Sequence, residues 1–81
     1  MRSRRWDYYE DEMVCEFYLA HIDNFRKNID DLLLKFIDAG YNDRDKNAIL
    51  MRLSNFQFIH IGKGLSKYSK QSKKVFDEKF R

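Results

Sequence analysis

Along this chain the apolar residues recur at spacings of three and four rather than in strict alternation, a period that predicts helices and not strands. The most regular run is DNFRKNIDDLLLKFIDAGY, where Phe25, Ile29, Leu32, Leu33 and Phe36 share one stripe. Asp23 or Asn24 caps its start, Gly40 supplies a left-handed C-terminal position, and Tyr41 packs back on the last turn. Leu34 falls off the stripe and is expected at the surface.

Upstream, WDYYEDEM starts another helix: Asp7 is the N-cap, Glu10 three residues later completes a capping box, and acids fill the first turn. The helix is read to about Ile22. Its apolar residues form no single stripe, with Met13 and Phe17 on one side, Tyr8, Cys15, Leu19 and Ile22 on another, and Val14 and Tyr18 between them. Such a helix needs cover on most sides, as the central helix of the domain or in a dimer contact. Downstream, Asn42, Asp43 or Asp45 caps a third helix whose Ile49, Leu53 and Phe56 form a buried stripe. IleHisIle at 59–61 fits a last turn or a short extended piece. Gly62-Lys63-Gly64 then reads as a loop, and Ser66 or Ser69 caps a fourth helix with Tyr68, Val75, Phe76 and Phe80 inward and lysines outward.

The sum is an all-α, compact bundle of three to four helices, helix-turn-helix-like, in one small domain over residues 1–81 with a basic arm at 1–5. Composition agrees: there is no Pro, there are three Gly, and aromatics make up 16% of the chain, enough large side chains to fill a core at 81 residues. The lone Cys15 leaves no internal disulfide and fits a reducing compartment. No apolar run reaches the roughly 20 residues that a membrane helix needs, and the start lacks the apolar core of a signal peptide. A cytoplasmic protein without a membrane partner is expected.

Charge changes the picture more. Residues 1–45 hold seven basic and eleven acidic side chains, a balance of −4; residues 46–81 hold nine and two, a balance of +7. Arg2, Arg4 and Arg5 add a basic cluster at the start. This asymmetry points a basic surface at a polyanion, against the plainer reading of solvated lysines.

Chemistry of other kinds finds little support. His21 and His60 stand apart, no spacing matches a metal site, Cys15 reads as a packed hydrophobe, and the acids Glu10 and Glu12 read as serving the helix start. GlyLysGly is too short to cradle phosphates as a P-loop does. A non-enzyme with no metal and no cofactor is expected. Nucleic-acid binding has more behind it. On the third helix, Asn47, Arg52, Ser54 and Asn55 lie on the arc opposite the apolar stripe, and Asn and Arg are the residues that pair bidentately with adenine and guanine. The next segment adds Gly62 and Gly64 for close backbone approach, Ser66 and Ser69 as phosphate donors, and Lys63, Lys67 and Lys70 as charge.

Two motifs also carry a resemblance. AILMRLSNF (Ile49, Met51, Arg52, Leu53, Asn55, Phe56) and GLSKYSK (Gly64, Leu65, Ser66, Ser69, Lys70), followed by Val75 and Phe76, resemble the small helical N-terminal DNA-binding module of prokaryotic HNH restriction-type nucleases. The opening RRWDYYEDEMVCEFYL is more loosely similar to Myb/SANT-like domains. His60 stands where the module usually has an acid and Lys67 where it usually has Asn. No nuclease domain follows, so the resemblance implies binding without cleavage: a stand-alone module of prokaryotic or phage type on duplex DNA. The other class in view is a protein-binding adaptor, or a mobile-element inhibitor of a host nuclease or defence protein; a homodimer through the first helix fits either.

Overall fold

The computed structural model describes residues 5–41, 43–63 and 67–80, and these fold as four helices: α1 (Tyr8–Ala20), α2 (Ile29–Asp38), α3 (Lys46–Ile61) and α4 (Lys70–Phe80). There is no strand among the described residues, and no helix there is long and apolar enough to cross a membrane.

The capping box at α1 forms as its sequence requires. The Asp7 carboxylate accepts from the Glu10 N–H at 2.8 Å, and the Glu10 carboxylate accepts from the Asp7 N–H at 3.1 Å. The helix packs against all three others, which explains its apolar residues on several sides. Val14, Cys15, Phe17 and Tyr18 are buried from it. Leu32 and Phe36 from α2, Ile49, Leu53 and Phe56 from α3, and Val75 and Phe76 from α4 complete the core.

α2 begins later than its apolar stripe suggests. Residues 21–28 form successive turns, with Asn24 N–H on His21, Lys27 N–H on Asn24 and Asn28 N–H on Phe25. The Asn28 side chain donates to the Asn24 carbonyl, the acceptor that an α-helical Asn28 N–H would have used. Neither Asp23 nor Asn24 therefore caps α2, although Phe25 keeps its place in the core.

The end of α2 follows its sequence. Gly40 adopts φ +91, the Tyr41 N–H donates to the Phe36 carbonyl at 2.8 Å, and the two rings lie 6.1 Å apart. A Cβ at Gly40 would meet no atom within 4 Å, so its cost is conformational alone. Gly40→Ala is expected to lose about 1–2 kcal/mol in urea denaturation with an unchanged m-value.

α3 is capped by Asp45, whose carboxylate accepts from the Ala48 N–H at 2.8 Å; of the other two candidate caps, Asn42 lies outside the described residues. IleHisIle is the last turn of α3, closed by Gly62 at φ +77 with its N–H on Phe58. α4 is capped by Ser69, whose hydroxyl accepts from the Ser72 N–H at 3.0 Å; Ser66 lies outside the described residues. Two inward expectations on this helix are corrected. Tyr68 precedes α4 and stays partly exposed with its ring 6.0 Å from Phe58. Phe80, on the last turn, stays half-exposed and stacks on Phe76 at 4.9 Å.

Candidate nucleic-acid interface

Two buried ion pairs start on α1, and the second of them, Asp11 with Arg52, joins the acidic half of the chain to the basic half. Glu10 and Asp11 are fully buried, one turn before the core residues Val14 and Cys15. Glu10 meets Arg44 at 2.8 and 3.1 Å, and Arg44 also donates to the Arg5 carbonyl at 2.9 Å. Glu10 thus closes the capping box and neutralises a buried guanidinium at once. Asp11 takes Arg52 in a bidentate fork at 2.7 and 2.8 Å. Its remaining lone pairs accept from Gln71 at 2.7 Å and from Ser72 at 3.4 Å. Trp6 lies beside both arginines, with the Arg44 guanidinium 4.2 Å and the Arg52 guanidinium 4.8 Å from its ring, and its edge meets Phe36.

This network moves several expected contact residues inside the fold. Arg52 was expected to face bases from an arc opposite the core. Its guanidinium is instead committed to Asp11 and to the Ser69 hydroxyl at 3.1 Å. Ser54 and Asn55 are buried rather than on a wet face. The reason is that α3 packs against three helices, and the segment entering α4 brings Tyr68 over Phe58, one turn from Ser54. Of that arc, Asn47 and Met51 reach solvent. Ser69 is likewise engaged, as the α4 cap and as the acceptor of Arg52.

The lysines do lie outside. Lys63, Lys67, Lys70, Lys73 and Lys74 are all exposed. Lys73 pairs with Asp77 at 2.6 Å one turn along α4, whereas Lys63, Lys70 and Lys74 form no ion pair among the described residues. Gly64 and Ser66, expected to clasp an anion, lie outside the described residues, as do Arg2 and Arg4 of the arm. Exposed lysines thus follow the α3 C-terminus and occupy the first turns of α4, where Ser69, Gln71 and Ser72 belong to the Asp11 network.

The remaining titratable groups belong to the packing. Burial pushes the Cys15 thiol up to about 12, so it stays protonated and packs as a hydrophobe. The Tyr18 hydroxyl, raised by burial, is 2.9 Å from His60 Nδ1. Among the described residues no group of three His, Cys, Asp or Glu side chains converges as a metal site.

Sequence reasoning missed Trp6, Glu10, Asp11, Arg44, Gln71 and Ser72. The available signal was positional: Glu10 and Asp11 precede Val14 and Cys15 by i, i+4 on a helix whose apolar residues already demanded cover on several sides. Comparison with family models, characterised proteins and solved structures finds no match to this chain.

Proposed function

We propose that the chain is a non-catalytic DNA-binding module whose lysine edge meets the phosphate backbone of a duplex. The observation that carries this reading is the cluster Lys63, Lys67, Lys70 and Lys74, all exposed, around the start of α4. Clustered cations at the surface are what a polyanion's backbone selects, and they supply affinity without sequence. Asn47, exposed on α3, is the remaining candidate for a base edge. Arg52, Ser54, Asn55 and Ser69 act in this reading as the support that holds the edge in register. The resemblance to the DNA-binding module of prokaryotic HNH restriction-type nucleases supports the same assignment and a prokaryotic or phage setting. The test is fluorescence anisotropy of a labelled short duplex at about 50 mM salt, where counterion release favours binding most. A saturable rise is expected; no rise at any attainable protein concentration contradicts the reading.

A second reading rests on a different observation. Leu34 and Ile37 are exposed on α2, at 58% and 47%, beside the acids Asp30, Asp31 and Asp38. Apolar side chains on an acidic helix suit a protein partner better than DNA. In this reading the chain is an adaptor, or an inhibitor of a nuclease or defence protein. A partner retained on the chain after nuclease digestion, and lost with Leu34→Glu, supports it; retention that ends with digestion counts against it.

A further inference from the structure

We propose that Tyr68 is a stacking platform for an unpaired base, with Met51 as a second apolar contact on the same face, so that the chain takes single-stranded DNA in preference to a duplex. This inference rests on the nucleic-acid reading of the exposed lysines and names the form of nucleic acid they hold. It starts from a ring that the fold supports without burying. Tyr68 stands between Lys67 and Lys70 in the segment entering α4. Its ring rests against Phe58 at 6.0 Å, tilted by 36°, yet 39% of the residue reaches solvent. The Tyr8 and Tyr18 hydroxyls have partners in Glu78 and His60, whereas the Tyr68 hydroxyl has no hydrogen bond among the described residues.

Met51 and Phe58 share a face of α3, two turns and about 10 Å apart along the axis. The segment entering α4 runs back along that face. Tyr68 meets Phe58, and the next residue, Ser69, accepts from Arg52, the chain neighbour of Met51. Met51 is 58% exposed, and Asn47, one turn further, is exposed as well. Tyr68, Met51 and Asn47 thus follow one another along the outer face of α3. Lys63, just past the α3 cap, and Lys70, the first residue of α4, are exposed and form no ion pair among the described residues.

An aromatic face among cations is how proteins hold a single strand: bases stack on the ring and phosphates take the charge. The ring also separates one form of nucleic acid from another. A duplex has the higher charge density, so lysines alone favour it over a single strand. Its base faces are already stacked on one another, so Tyr68 gains nothing from them. A preference for the single strand therefore reports the ring and not the charge. Phe58 already holds that ring, so little ordering is left for the ligand to impose.

The test is fluorescence anisotropy of the full chain with labelled probes of about 15 nucleotides, near the span of one small single-strand site. Oligo-dT, a duplex and an abasic strand with the same number of phosphates are compared at about 50 and 200 mM salt, the second weakening the electrostatic part of affinity. Oligo-dT is expected to bind more tightly than the duplex, and about tenfold more tightly than the abasic strand, within the range that stacking one base contributes. Tyr68→Ala should weaken oligo-dT about tenfold and leave the duplex unchanged, while Tyr68→Phe keeps the ring face and most of the affinity. If Tyr68→Ala weakens both forms equally, the ring only holds the lysine segment against Phe58, and the inference is overturned. Equal affinity of the unmodified chain for oligo-dT and the abasic strand overturns it without any variant. Duplex binding with no preference for oligo-dT overturns this inference and leaves the duplex reading standing. Oligo-dT binding without duplex binding supports the platform and overturns the duplex reading. No binding of any probe overturns both.

Discussion

Asp11→Ala is expected to abolish stable folding. The substitution leaves the Arg52 guanidinium, whose side chain is 12% exposed, without its counter-charge, and it strips Gln71 and Ser72 of an acceptor. Breaking a buried pair from one side costs about 3–5 kcal/mol, because the surviving charge stays desolvated. A single domain of this length has a total stability of the same order, at the low end of about 5–15 kcal/mol. Urea denaturation followed by circular dichroism should show the transition lost or shifted close to zero denaturant. Replacing both partners together, Asp11→Leu with Arg52→Met, should recover part of the loss, since neither charge then remains buried. Full recovery is not expected, because the Ser72 hydroxyl is buried and still loses a partner. A double variant no more stable than Asp11→Ala would show that the pair's fixed geometry, rather than its buried charge, holds α1, α3 and α4 together.

The second large effect is on binding. Lys67→Glu with Lys70→Glu should leave the fold intact, since both residues are exposed, and should remove most affinity for a duplex. If Lys63, Lys67, Lys70 and Lys74 each neutralise one phosphate, the slope of log K against log salt is about −3.6. Removing two contacts reduces its magnitude by about 1.8, which, carried from a 1 M reference to 50 mM, is a loss of about 200-fold. Repulsion from the introduced carboxylates adds to this. A variant that keeps its thermal transition but binds as the parent does would place the contact surface elsewhere, with α2 the next surface to test.

How far the sequence carries can be judged from particular residues. Local rules located Asp7 with Glu10, Gly40 with Tyr41, Asp45 and Ser69, because a cap or a left-handed turn involves only neighbours in sequence. The α2 boundary failed where Asn28 diverted a backbone acceptor, a competition that apolar spacing does not register. The larger failure concerns Arg52, Ser54 and Asn55. Helical period, about 100° per residue, sets Ser54 and Asn55 far from the stripe of Ile49, Leu53 and Phe56 and Arg52 only about 60° from Ile49, on its flank, but it does not say how many neighbours α3 has. With three helices around it, a face that looks wet in one dimension is covered in three. The buried acids were hidden for the same reason. Glu10 has a sufficient local explanation in the capping box, and Arg44 is 34 residues away from it. The lysines were easier, since isolated ammonium groups stay at the surface almost wherever they fall.

The central claim is that the lysine edge meets nucleic-acid phosphates, and the most direct test is the salt dependence of duplex binding by the unmodified chain. Between about 50 and 200 mM salt, four phosphate contacts predict a loss of about 150-fold in affinity, along a straight line in log K against log salt. A flat line, or no binding at the low-salt end, would contradict the account.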